Sequence, residues 1–150
     1  TGHPERAYKI LKETKNSNLE VALFSENKFQ LDFSKRINLI DEIGYLEDLF
    51  SLADIAFIGG TLIPHGGQNF LEAVRYSLPI SSGKSFYNFQ EIAEDLIEMN
   101  ILEVANNAEQ LKSIWQKQLT FVSEEISKHT KDYLEKREGA SERTFEYLSL

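Results

Sequence analysis

No cysteine occurs in the 150 residues, which excludes disulfides and thiolate metal sites and leaves the redox compartment open. Long apolar runs are missing as well. Nothing approaches the roughly 18 consecutive apolar residues that a membrane span needs, and no signal-peptide pattern opens the chain. An excess of basic charge is also lacking: the net charge is −8, whereas a phosphate backbone needs a basic face, so nucleic acid is not an expected partner. His3 and His65 sit in loop-like sequence with no further His, Cys or acidic cluster at ligand spacing, so no metal site is expected.

Acid is itself scarce in one segment. Residues 1–58 carry 7 basic and 10 acidic side chains and residues 88–150 carry 7 and 13, but residues 59–87 hold only Arg75 and Lys84 against Glu72. An acidic chain that keeps carboxylates out of one stretch either leaves an anion site open there or simply buries that stretch. What remains is ordinary for a globular domain, with 41% hydrophobic and 27% charged residues. The length suits one domain with its own core. The chain begins at Thr1-Gly2-His3-Pro4, which reads as the start of an excised domain.

Short apolar runs alternate with amphipathic stretches, the pattern of β-α units in a parallel sheet. Strands are expected at Val21–Ser25, Asn38–Asp41, Asp54–Gly59, Pro79–Ser82 and Ile101–Ala105. Pro4 suits a first helical turn, with Ala7, Ile10 and Leu11 on one face. Leu46, Leu49, Phe50 and Ala53 share the face of a second helix. Asn88 with Glu91 and Asn107 with Gln110 have the spacing of helix-capping pairs. The latter leads a helix that turns Leu111, Ile114, Trp115 and Val122 inward. From about residue 107 no strand signal returns, and Gly139 is the only clear breaker, so two or three helices are expected there. Trp115 reads as core, and His129 as an exposed helix residue. The expected fold is α/β: a single Rossmann-like parallel sheet flanked by helices across residues 1–150, with a helical C-terminal tail.

Six of the eight glycines fall between residues 44 and 83. The centre of this region reads Gly59-Gly60-Thr61-Leu62-Ile63-Pro64-His65-Gly66-Gly67-Gln68-Asn69-Phe70-Leu71-Glu72. A strand runs into Gly59-Gly60, and Gly66-Gly67 is expected to open a helix. Ligands bind beyond the carboxyl ends of strands in open α/β sheets, and a glycine turn lets amides approach an anion. Glu72, one helical turn past Asn69, has the position to accept bonds from ribose hydroxyls. Spacing alone leaves two readings open: a phosphate-and-ribose cradle, or a glycine turn followed by an ordinary surface glutamate.

Ser82-Gly83-Lys84-Ser85 imitates the end of a P-loop, but Leu78 stands where that motif needs glycine. No Gly-x-Ser-x-Gly elbow supports a serine hydrolase.

The run Gly59–Asn69 with Glu72 resembles the signature of bacterial 3-deoxy-D-manno-octulosonic acid (Kdo) transferases. Flanking segments match in the same order: His3-Pro4-Glu5-Arg6, Leu39-Ile40-Asp41 with Gly44 and Leu46, and Asn88-Phe89 with Glu91-Ile92. The resemblance spans residues 3 to about 92. Departures from the family pattern are Thr1-Gly2 for its Pro-Arg, Glu42 and Tyr45 in the turn motif, Phe70 for a proline, and Gly83-Lys84-Ser85 for Gly-Pro-His. Contacts at 42, 45, 70 and 84–85 are therefore not carried over.

The resemblance implies the C-terminal, donor-binding domain of a GT-B glycosyltransferase, with CMP-Kdo as donor and no cofactor. On it, Gly60, Thr61, Gly66, Gly67, Gln68 and Asn69 would cradle the CMP phosphate, Glu72 would hold the ribose, and His3 would approach from a neighbouring loop. His65 would either hydrogen-bond the donor or cap the turn. The catalytic base is expected in an N-terminal acceptor domain absent from these residues. That domain would also bind the lipid A precursor and make the membrane contact, at the cytoplasmic face of the inner membrane. The open alternatives are another GT-B enzyme, such as a UDP-sugar transferase or epimerase, and a non-catalytic nucleotide-binding or interaction module.

Overall fold

The computed structural model describes residues 4–14, 17–120 and 124–148. His3 and Val122 lie outside the described residues. The chain forms two compact units, residues 1–47 and 48–150, with the division falling inside a helix.

In the first unit, helix α1 (Pro4–Thr14) precedes two parallel strands, β1 (Val21–Leu23) and β2 (Ile37–Leu39), paired Val21 to Ile37 and Leu23 to Leu39. Ala7 is buried, and Ile10 and Leu11 are half-buried, which is the face the periodicity predicts. β1 stops two residues before its expected end because the chain turns to bring Ser25 onto Asp41. The Ser25 amide and hydroxyl both donate to that carboxylate, at 3.0 and 2.5 Å. Phe24 is buried beside them and meets Tyr45 edge-to-face at 4.8 Å between ring centres. Such a pair stabilises by about 1 kcal/mol beyond its buried area.

Helix α2 (Leu46–Leu52) carries the division between units. Phe50 and Ala53 pack against the core of the second unit as expected, but Leu46 is half exposed and takes no part.

The second unit is built on three parallel strands in the order β3 (Ala56–Ile58), β4 (Ile80–Ser82), β5 (Leu102–Val104). Helix α3 (Leu71–Arg75) joins β3 to β4, and α4 (Gln90–Glu98) joins β4 to β5. Two successive crossovers that step the same way along a sheet lie on one face when both have the usual right hand. Residue alternation identifies the two faces. Ala56, Ile58, Ile80 and Leu102 join Phe70, Ala73, Val74, Ala93 and Leu96 of the α3 and α4 segments in one buried cluster. The opposite face presents Phe57, Ser81 and Glu103, which are aligned by the strand register. Helix α5 (Ala108–Gln118) covers that face.

On the α5 face, Trp115 donates its indole N–H to Ser81 Oγ at 2.9 Å and meets Phe57 edge-to-face. Gln118 is buried and donates to the Ile80 carbonyl at 3.1 Å, and Lys117 pairs with Glu103 at 2.8 Å. Leu111 is buried and Ile114 half-buried, so the predicted face of α5 is the one that packs.

Helix α6 (Glu124–Leu148) places Tyr133 in the core and shares a Ser77–Thr130 hydrogen bond of 2.8 Å with the end of α3. It runs straight through Gly139, because a glycine inside a helix costs only about 1 kcal/mol. His129 is half-buried rather than exposed. The fold is α/β, with parallel strands flanked by helices and a long C-terminal helix.

The two capping pairs behave differently. Asn107 Oδ1 accepts from the Gln110 amide at 2.9 Å, and Gln110 Oε1 answers by accepting from the amide of Asn106. Asn88 does not cap at all. A 3-10 turn over Tyr87–Phe89 intervenes, α4 starts at Gln90, and its cap residue Phe89 makes no side-chain bond.

Candidate functional site

The glycine segment leaves the carboxyl end of β3 and returns on itself. Gly60, Gly66 and Gly67 have φ of +71°, +86° and +78°, values that L side chains rarely adopt. The Gly67 amide closes the turn onto the Gly60 carbonyl at 3.1 Å. Between them Leu62, Ile63, Pro64 and His65 project to solvent, and the imidazole edge lies against Gly60.

The helix does not begin at Gly66-Gly67. Gln68 and Asn69 run on as irregular chain, and α3 starts at Leu71 and is five residues long. Asn69 Oδ1 accepts from the Leu71 amide at 3.0 Å, an Asx turn that leads into the helix from outside it. Asn69 and Glu72 therefore do not share a helical face. So short a helix also adds little dipole, and the loop amides are the stronger electrostatic element. The reason for the late start is Phe70. It is fully buried, with edge-to-face contacts of 6.3 Å to both Phe86 and Phe89. Seating that ring fixes the point at which the chain enters α3.

A strap from the β4–α4 connection sets the shape of the turn. Thr61 is fully buried, donates its hydroxyl to the Ile58 carbonyl and accepts from the Gly83 amide, both at 2.7 Å. The Ser85 amide donates to the Thr61 carbonyl at 2.9 Å, and Ser85 Oγ accepts from the Gly66 amide at 3.3 Å. The Asn88 amide donates to the Gly66 carbonyl at 3.3 Å. The P-loop imitation is thereby explained: the Gly83 amide is committed to Thr61, and Lys84 points into solvent.

The sequence-predicted residues consequently divide. Thr61 is a structural clamp whose hydroxyl is used on both sides, so it offers a ligand nothing from its side chain. The Gly67 amide closes the turn, and the Gly66 amide already has Ser85. By contrast, the amides of Gln68 and Asn69 donate to no group among the described residues. Glu72, half-buried in the first turn of α3, has no hydrogen bond or ion pair among them. These free donors and one free carboxylate stand within five residues, and both Gln68 and Asn69 are exposed. His65 is exposed as well. The contributions of Ser85 and Asn88 were not legible from spacing, since the one residue gave no signal and the other imitated a cap.

No group of three or more metal-ligating side chains occurs among the described residues, and no helix among them is long and apolar enough to cross a membrane.

Parallel strands, helices on both sheet faces and a glycine turn beyond the carboxyl end of the first strand of the sheet define a Rossmann-like domain. Comparison with known proteins makes this specific. The structure is similar to the C-terminal CMP-Kdo binding domain of WaaA from Acinetobacter baumannii, with a TM-score of 0.81 and 30% identity, covering 88% of this chain and 69% of that one. The chain belongs to the 3-deoxy-D-manno-octulosonic acid transferase family, as its C-terminal domain.

Among curated proteins it is 34% identical over 111 residues to the 3-deoxy-D-manno-octulosonic acid transferase of Haemophilus influenzae, covering 73% of this chain and 26% of that protein. It is 36% identical over 114 residues to a bifunctional glycosyltransferase/methyltransferase of Fusobacterium nucleatum, covering 75% of this chain and 18% of that protein. The chain thus spans about a quarter or less of the length of these relatives. No protein-family model matches it.

Proposed function

We propose that this chain is the donor-binding domain of a Kdo transferase, and that it holds CMP-Kdo while Kdo passes to a lipid A precursor carried by a second domain. The observation that carries the reading is the pair of unpartnered amides, Gln68 and Asn69, between the closed glycine turn and the unpartnered Glu72. Amide donors suit a phosphate, and a carboxylate suits the vicinal hydroxyls of a ribose.

In this reading the domain contributes orientation of the donor and electrostatic stabilisation of the departing CMP phosphate by fixed dipoles. The catalytic carboxylate, the acceptor site and the contact with the cytoplasmic face of the inner membrane belong to the second domain. No cofactor is required. The Thr61 hydroxyl is withdrawn from the expected contacts, His65 remains a candidate at the margin, and His3 lies outside the described residues.

Titrating CMP into the chain while following backbone amide resonances tests the proposal. Perturbations centred on residues 60–72 are expected with CMP, and much weaker ones with UDP or UDP-GlcNAc. A CMP titration that leaves those resonances unmoved overturns the reading. Equal response to UDP would redirect it to another GT-B donor.

A further inference from the structure

The spacing of Asn88 and Glu91 predicts a helix cap, yet the side chain of Asn88 caps nothing. It is exposed and hydrogen-bonds no group among the described residues. Its position is nevertheless held closely. The Asn88 amide donates to the Gly66 carbonyl at 3.3 Å, and the side chain lies directly over Gly66. A Cβ on Gly66 would stand 2.3 Å from Asn88 Nδ2 and 2.7 Å from Tyr87 Cε2. Position 66 requires glycine through its φ of +86°, and this side chain together with the Tyr87 ring fills the space above it.

An exposed carboxamide is satisfied by water anywhere on a surface and needs no such seat. Here its backbone is tied to the same turn whose next residues, Gln68 and Asn69, hold the unpartnered amides. A donor whose backbone is already tied beside other donors gives up only its side-chain freedom when an anion arrives. Residues 59–87 contain one carboxylate, Glu72, so little negative charge from that segment competes for the position.

We propose that Asn88 is a ligand-contacting residue of this site, donating its side-chain N–H to an oxygen of the nucleotide phosphate from the β4–α4 connection. The inference rests on the reading of the glycine turn as a nucleotide-phosphate cradle. It adds a donor from a segment outside that turn, so that the phosphate is gripped from two connections of the sheet.

The test measures the affinity of the chain for CMP and for cytidine in the wild type, Asn88→Ala and Asn88→Asp, with backbone amide spectra of each free protein. A hydrogen bond to a charged group predicts a loss of about tenfold or more in CMP affinity for Asn88→Ala. Asn88→Asp should lose more, because it sets a carboxylate against the phosphate. Cytidine, which lacks the phosphate, should bind all three proteins alike. Unchanged CMP affinity in Asn88→Ala overturns the inference while leaving the cradle in place. Equal losses for CMP and cytidine, with displaced Gly66 and Gly67 resonances in the free variant, also overturn it, since Asn88 would then only shape the turn. Absence of CMP binding by the wild type overturns the cradle reading, and this inference with it.

Discussion

Thr61 and Gly83 lock two connections of the sheet together at a point with no spare space. The Thr61 hydroxyl accepts from the Gly83 amide at 2.7 Å, and a Cβ on Gly83 would stand 2.2 Å from the Thr61 carbonyl oxygen. The atom in the way is backbone and cannot swing aside. Position 83 therefore requires glycine, whereas Lys84 points into solvent and Ser85 adds both its amide and its hydroxyl to the turn.

Thr61→Val preserves the shape of the side chain and removes both of its hydrogen bonds. The Ile58 carbonyl and the Gly83 amide would be left buried and unpaired, and each such group costs about 1–3 kcal/mol. Thr61→Ser keeps the hydroxyl and should lose much less. Denaturant unfolding of the two variants beside the wild type checks the order; equal losses would mean that the methyl, not the hydroxyl, does the holding.

Gly83→Ala should destabilise by at least the about 1–3 kcal/mol typical of overpacking, since the clash is with backbone. Any variant that still folds must part the two connections. Gly66 and Gly67 amide resonances should then move even though position 83 is distant in sequence. A variant with wild-type stability and an unchanged spectrum would contradict the clamp.

Phe70→Ala removes a fully buried ring that meets Phe86 and Phe89. A cavity of this kind costs about 3–5 kcal/mol. Because that ring also anchors the chain directly after Gln68 and Asn69, Phe70→Leu, which refills most of the space, should recover stability before it recovers CMP affinity. Unfolding and titration on the same preparations separate the two effects.

Asp41 supplies a pH dependence. Burial pushes its carboxyl up, but the hydroxyl and amide of Ser25 outweigh burial and hold it below the ordinary 3.8. A carboxyl depressed by folding stabilises the fold above its unfolded value, and the contribution fades as pH falls through the folded one. Asp41→Asn should therefore cost about 1–2 kcal/mol near neutrality. The gap from wild type should narrow below about pH 4. A gap that is constant with pH would show that the pair contributes nothing through its charge.

The sequence made the five strands legible because each is a short apolar run between polar turns, although four are trimmed and β2 is shifted to start at Ile37, one residue before its expected start. Ser25 shows why: its pull toward Asp41 is a contact over sixteen residues that no local pattern records. The glycine turn was legible as a turn. Its division into clamp and ligand-facing parts was not, because Thr61 and Asn69 look alike in sequence and differ only in what the fold lays over them. Phe70 looked like a departure from a proline pattern and is an aromatic anchor that delays α3. Asn88 looked like a cap because spacing alone cannot tell a cap from a residue drawn aside by the turn it touches.

Glu72→Ala tests the ribose contact most sharply when it is paired with a change in the ligand. If the carboxylate accepts from the ribose hydroxyls, removing it should weaken CMP by about tenfold or more, as expected for a hydrogen bond to a charged group. Removing the 2′-hydroxyl from the nucleotide should weaken wild-type binding for the same reason. The two losses then describe one interaction and cannot add: 2′-deoxy-CMP should bind Glu72→Ala nearly as well as CMP does. Additive losses would place Glu72 elsewhere on the ligand, and no loss with either nucleotide would return it to the ordinary surface.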